Sequence, residues 1–315
     1  TQWREMLSAV ADSVKGEILS NKDIKGVKSA FMEYTEPSIA TRMKEFDKEG
    51  YTDVIVVPLL LTVSGHSFDD IPHILGLKSS PAEIEKLKSE NIEVYKSQAN
   101  VDITPLLDFP KILGDNLVER LKPLSTDPKN EACVLVAYGD EHYDKEWTDL
   151  IKDMMKEIEE KTSINHFEYS WCGHIVRYKT EPTTEAIERA LKNKEKAIVI
   201  PVLVAIDEMF QGKIIGGAVE AVKEKDRVNY KPDAILPDKN VEKWIIDISN
   251  EYTEKIKPDI ILHFASDIFD SKEKDIWKNN ILGTSNILKV AEKNNVKKII
   301  FTSTFSIFEK NYKEP

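Results

Sequence analysis

His66 is the residue of this 315-residue sequence whose type and setting point most directly to chemistry. It lies in the stretch 59–72, just beyond Val54-Ile55-Val56-Val57 and Pro58. A β-branched run without alternation suits a strand buried on both faces of a parallel sheet, and a proline just past it is expected to mark the strand's end. Ligands of such sheets bind beyond the carboxyl ends of the strands. Gly65 is expected to permit an unusual backbone turn that sets His66 at the mouth of the sheet. A neutral imidazole there can accept a proton or ligate a metal ion. The alternative is an exposed loop histidine. Asp69 and Asp70, which precede Ile71-Pro72, read as helix-capping carboxylates.

The elements that position this loop follow from an internal repeat. Trp3, Thr35-Glu36-Pro37 and Pro58 recur in order as Trp147, Thr180-Glu181-Pro182 and Pro201. From Trp to Glu-Pro to strand-end proline the steps are 34 and 21 residues in the first copy and 35 and 19 in the second. Trp3, Leu7, Val10, Val14 and Ile18 fall on one helical stripe. Ala197-Ile198-Val199-Ile200 mirrors the first strand. Helices alternating with continuous apolar strands predict an α/β fold: two lobes over 1–122 and 131–256, each a parallel sheet flanked by helices. Residues 121–130, with Pro123, Ser125, Thr126 and Pro128, read as the linker. The second copy opens with a strand, Cys133-Val134-Leu135-Val136-Ala137, followed by Tyr138-Gly139-Asp140. The first copy's counterpart would fall before Thr1, so a front strand and loop are expected outside this sequence.

His66 with Asp70-Ile71-Pro72, after an aliphatic stretch and a glycine, resembles the histidine loop of the sirohydrochlorin cobaltochelatases, class II chelatases that insert cobalt into a tetrapyrrole. Residues 31–37, Phe31 to Pro37, resemble that family's glutamate segment. The resemblance covers about residues 1–256, and the duplicated layout is that of the longer members. It implies a lyase that takes two protons from pyrrole nitrogens as a divalent metal enters the ring. His66 would serve as proton acceptor and metal ligand, and Glu33 would hold the imidazole, relay protons or share the metal. Ser64 and Gly65 would line the substrate site. Imidazole and carboxylate accept Co2+, Ni2+ and Fe2+ alike, with cobalt expected as substrate and no organic cofactor. The family's second active-site histidine, in a His-Gly-Ser, would fall in the expected front segment. The second copy offers Tyr138 there, and Met209 in place of a second His66, so it reads as scaffold and cleft wall. Tyr138, His174 and Arg177 are candidate substrate contacts from that side, Arg177 for a tetrapyrrole carboxylate. A structural role is the alternative for His174. A tetrapyrrole- or metal-binding protein without catalysis is the rival of the same fold.

Residues 257–315 follow a different pattern. A strand from Lys257, a helix with Asn280-Ile281-Leu282-Gly283-Thr284 and a strand ending Ser303-Thr304 resemble an internal βαβ fragment of an extended short-chain dehydrogenase of the NAD-dependent epimerase type. The Gly-rich phosphate loop is absent upstream and no Tyr-x-x-x-Lys follows, so an epimerase or dehydratase role rests on this fragment alone. Composition agrees with a seam: the tail carries ten lysines against eight acidic residues, although the chain's formal charge is −11. That acidity argues against nucleic acid as a partner. No apolar run reaches the ~20 residues of a membrane helix. Two cysteines, Cys133 and Cys172, give no disulfide framework and suit a reducing, cytoplasmic setting. The expected partner is a small tetrapyrrole, and the oligomeric state is left open.

Overall fold

The structure, a computed structural model, describes residues 2–32, 35–256, 260–263, 285, 287–289, 291 and 298–301. It divides into two compact units, Thr1–Asn250 and Glu251–Pro315. Among the described residues no helix is long and apolar enough to cross a membrane.

The first lobe runs α1 (Gln2–Ile18), α2 (Ile39–Glu49), β1 (Asp53–Val56), a π-helical turn (His66–Asp70) leading directly into α3 (Ile71–Ile74), α4 (Pro81–Ser89), β2 (Asn100–Ile103) and α5 (Pro110–Leu121). The second runs β3 (Glu131–Ala137), α6 (Asp144–Lys161), β4 (Phe167–Trp171), α7 (Glu181–Asn193), β5 (Lys196–Val202), a second π-helical turn (Glu208–Gly216) leading into α8 (Gly217–Ala221), β6 (Val228–Tyr230) and α9 (Lys239–Ile256). The landmarks Trp3 and Trp147 thus open equivalent helices, and each strand-end loop closes on a π-turn. The repeat is visible in three dimensions.

The second lobe holds the more complete sheet, parallel throughout in the order β4-β3-β5-β6. Every residue of β3 is buried, as a strand covered on both faces requires. Val134, Val136 and Val199 pack with Ile187, Ala190 and Ile215 from the helices. At about 1.5–3 kcal/mol for each large aliphatic side chain buried, this layer is a principal stabiliser of the lobe. Glu131 opens β3 with a buried carboxylate that accepts from Ser125 Oγ, Thr126 N and Oγ1 and Asp127 N. Burial alone would raise its pKa, but these donors hold it below the ordinary value.

In the first lobe β1 and β2 form a two-stranded parallel ladder, Asp53 facing Asn100 through Val56 facing Ile103. The segment equivalent to β4, residues 24–30, has no regular structure, and only an isolated bridge joins Phe31 to Ser38. In the second lobe β4 and β5 both lean on β3, and among the described residues the first lobe has no such strand. This corrects the expected burial of the 54–57 run: Val54 is buried, while Ile55, Val56 and Val57 are half-buried. Pro201 does not end its strand either, because β5 continues to Val202. Its missing N–H is tolerated where β6, which pairs only through Ala197–Val199, has already left the ladder.

Each lobe's closing helix packs on the other lobe. Asn116 Nδ2 of α5 donates to Ile235 O at 2.9 Å and Asp238 Oδ2 at 2.8 Å. α5 also lies against α6 so closely that a Cβ on Gly114 would sit 2.4 Å from Glu157 Cβ. Reciprocally, Ile246 of α9 packs on Val14 and Ile18 of α1, and Asn21 donates to Asn250 at 2.8 Å.

Both cysteines are buried and free, and burial pushes each thiol pKa up to about 12. Since the thiolate is the reactive form, the folded protein should resist a thiol-specific chromogenic reagent and react with two equivalents once denatured. Rapid native labelling would contradict this packing.

In the second unit, strand β7 (Ile260–His263) pairs in parallel with β8 (Lys298–Phe301), Ile261 facing Ile299. Residues 285, 287–289 and 291 are helical. The Asn280 to Thr284 motif and Ser303-Thr304 lie outside the described residues.

Candidate functional site

The site is assembled from loops at the carboxyl ends of β1, β3 and β4. After β1 the chain runs through buried Leu61, Thr62 and Ser64 and then enters the π-turn at His66. Ser64 and Ser67 fasten its start: Ser67 Oγ accepts from Ser64 N at 2.9 Å, and Ser64 O accepts from Ser67 Oγ at 3.2 Å. Gly65 itself has φ −50° and ψ −40°. This ordinary right-handed conformation corrects the expectation that glycine was needed for an unusual turn. What Gly65 contributes is its N–H, which donates to Asp140 Oδ2 at 3.1 Å.

His66 is half-buried, its side chain 32% exposed, and its Nδ1 lies 2.7 Å from Oδ2 of Asp70. Asp70 is almost wholly buried, and its Oδ1 accepts from Lys86 Nζ at 3.0 Å. Burial works to raise the Asp70 pKa, but the hydrogen bonds and charges of His66 and Lys86 prevail and hold it below the ordinary carboxylate value. The capping role expected for Asp70 is therefore overturned, since its side chain caps no helix and instead orients the imidazole. Asp69 is half-buried, and its backbone carbonyl accepts from His73 Nδ1 at 2.7 Å. His73 Nε2 accepts from Ser80 N at 3.1 Å, so both ring nitrogens of this buried histidine are tied to backbone, a structural role.

The sign of the Asp70 shift sets a pH dependence. A depressed carboxylate stabilises the fold above its unfolded pKa, about 3.9, and that contribution is lost as pH falls through the folded pKa. Asp70→Asn should cost about 1.5–3 kcal/mol at neutral pH, the worth of hydrogen bonds to a charged group. Urea unfolding at pH 7 and near pH 3 checks this. The gap between variant and parent should narrow at the lower pH, and a constant gap would mean that the charge is not what matters.

The second cluster stands on the other lobe. Tyr138 Oη lies 3.0 Å from His174 Nδ1 and 3.3 Å from Tyr178 Oη, and its ring meets those of His174 and Phe210 edge-on. Gly139, at φ +77°, lets the β3 loop pass over the Trp171 ring, where a Cβ would approach to 2.9 Å. Arg177 and Tyr178 both adopt left-handed backbone, φ 52° and 57°, uncommon outside glycine and a recurrent mark of functional loops. His174 and Arg177 are both exposed. Met209, at the position equivalent to His66, is exposed in its own π-turn, whose start Asp207 caps through Met209 N.

The structure thus brings Ser64, Gly65 and His66 into one loop and Tyr138 and His174 into a second cluster. The Gly65–Asp140 bond joins the two lobes at the loops that bear them. Glu33, expected beside His66, lies outside the described residues. No group of three or more His, Cys, Asp or Glu forms a metal cage among the described residues. Two residues that hold the histidine loop, Asp70 and Asp140, escaped the sequence reading. A four-residue step from His66 to Asp70 was the available signal for the first, since it is a side-chain contact distance on a helix. For Asp140 there was none, because its partner is 75 residues away.

A family model described as CbiX matches residues 1–124, and one described as NAD dependent epimerase/dehydratase family matches residues 223–315, a span that begins within the second lobe. A sirohydrochlorin cobaltochelatase of Methanococcoides burtonii is 41% identical over 94 residues, 30% of this chain and 67% of that protein. One of Priestia megaterium is 27% identical over 223 residues, 70% of this chain, and the match spans 63% of that protein's length. The solved structure of SirB from Bacillus subtilis with Fe3+ superposes with a TM-score of 0.59 at 16% identity, covering 80% of this chain and 90% of that one, and so shares the fold. With an α/β duplicated architecture, a histidine loop at a strand end and these relatives, the chain belongs to the CbiX family of sirohydrochlorin cobaltochelatases.

Proposed function

We propose that this protein inserts a divalent metal, cobalt in the first instance, into sirohydrochlorin on the way to cobalamin, as a cytoplasmic lyase. The observation that carries the reading is His66 held through Nδ1 by a buried carboxylate at a strand-end loop. With Nδ1–H donating to Asp70, a neutral ring carries its lone pair on Nε2. That is the arrangement in which metal-ligating histidines are commonly held, and the second carboxylate oxygen is fixed by Lys86.

The reaction removes two N–H protons from the macrocycle as the metal cation enters, so charge is conserved. Nε2 can take one of those protons and can hold the incoming ion transiently. Asp70 stabilises the imidazolium so formed and fixes the ring's plane. Glu33 is the carboxylate proposed to share the metal or pass the protons on. From the second lobe Tyr138 and His174 would contact the macrocycle and Arg177 one of its carboxylates, with Ser64 and Gly65 along the first wall. Nickel and iron suit the same ligands, so the order of metals is decided by assay.

Optical titration of the intact chain with sirohydrochlorin and Co2+ tests the reading. The absorbance of the metallated product should grow catalytically. A spectral shift on mixing that yields no metallated tetrapyrrole would identify a binding protein instead.

A further inference from the structure

We propose that Asp140 of the second lobe is a positioning residue for His66, holding across the lobe boundary the turn that presents the imidazole. The inference deepens the chelatase reading of His66 and rests on it. Asp140 is buried, 5% exposed, in the middle of the loop between β3 and α6. Its two carboxylate oxygens divide their work. Oδ1 accepts from its own loop, His142 N at 2.9 Å and Tyr143 N at 3.3 Å, an Asx turn. Oδ2 reaches the other lobe and accepts from Gly65 N at 3.1 Å.

Gly65 directly precedes His66 and opens the π-turn, so a displacement of its nitrogen is passed almost undiminished to the imidazole. The N–H groups that open a helical turn have no acceptor within it. A buried carboxylate supplies one here, with partial charges of favourable sign. The same Asx turn places Tyr143, whose ring lies 6.1 Å from that of Phe68, two residues beyond His66. One loop of the second lobe therefore grips the π-turn at two points flanking the histidine. The repeat gives this loop its meaning. It occupies the strand-end position at which a lobe presents reactive groups, yet with Tyr138 and Met209 this lobe places no imidazole at its two repeat-equivalent positions. What it offers instead is the carboxylate that sets the first lobe's histidine.

Asp140→Asn, nearly isosteric, isolates the cross-lobe bond. The amide oxygen satisfies the two N–H groups of its own turn, which leaves the NH2 pointing at the Gly65 N–H, donor against donor. In the intact chain we expect kcat for cobalt insertion to fall about 10–100-fold, the usual cost of losing a group that orients a ligand or misplacing one by an ångström. KM for sirohydrochlorin should stay within about twofold, because Asp140 acts on the turn and not on the substrate. The Cε1–H resonance of His66, assigned with His66→Gln, should move in the protein without metal or tetrapyrrole. Should the Asp140→Asn variant fail to fold, Asp140→Ser is read the same way: its hydroxyl can close the local turn but cannot reach Gly65. Wild-type kcat, an unmoved His66 resonance, or a loss carried by KM would each overturn the proposal. If the parent chain inserts no metal, the chelatase reading fails, while the resonance still decides whether Asp140 holds His66.

Discussion

Replacing His66 by alanine should lower kcat for cobalt insertion by about 10²–10⁴-fold, the range that a positioned proton-transfer group contributes. The fold should barely respond. The side chain is one third exposed, and Asp70 keeps its bond to Lys86 when the imidazole is removed. His66→Gln sharpens the test, since its amide can still donate to Asp70 and fill the space but cannot accept a proton at neutral pH. Both variants should therefore lose insertion to a similar extent at nearly unchanged melting temperature. Steady-state production of the metallated tetrapyrrole measures the loss, and thermal denaturation measures the control. Turnover within about threefold of the parent in either variant would remove His66 from the chemistry, since a proton acceptor that matters cannot be deleted so cheaply.

The sequence carried those features that depend on local pattern. The duplicated landmarks Trp3 and Trp147 or Pro58 and Pro201 recur because each lobe must build the same helix and strand, and β3 and β5 read as buried strands because no alternation interrupts them. His66 was legible for the same reason: it follows a strand end, where ligands of parallel sheets bind. What was not legible is set by contacts between distant residues. Asp70 looked like a cap because an aspartate before Ile-Pro usually is one, and that reading outweighed the four-residue step that sets it against the imidazole. The half-exposure of Ile55 and Val56 follows from which strands stand beside β1, a matter of sheet order and not of the run itself. The exchange of α5 and α9 between lobes is likewise invisible to periodicity, which reports that a helix has an apolar face but not which neighbour covers it.

That exchange supplies the largest expected loss of stability, at Arg120. The guanidinium leaves α5 and enters the second lobe, where Nε donates to Asp233 Oδ1 at 3.1 Å and Nη2 to the carbonyl of Pro201 at 2.8 Å. The Pro201 carbonyl belongs to the end of β5, at the point where β6 no longer pairs, so Arg120 supplies a donor that the sheet does not. The side chains of Arg120 and Asp233 are only 10% and 17% exposed. Removing one partner of a buried pair leaves the other charge and a strand carbonyl without compensation, and the desolvation already incurred is not returned. Arg120→Ala should cost about 3 kcal/mol, the lower end for breaking a buried pair because some solvent reaches it and Lys231 Nζ stands 3.7 Å from Asp233 Oδ2. Arg120→Lys should recover only part of this, because one ammonium cannot serve carboxylate and carbonyl with the guanidinium's fixed geometry. Urea unfolding reads the difference, and the double variant Arg120→Ala with Asp233→Asn should lose less than the sum of the two single losses. Strict additivity would mean that α5 is held to the second lobe by its apolar face alone.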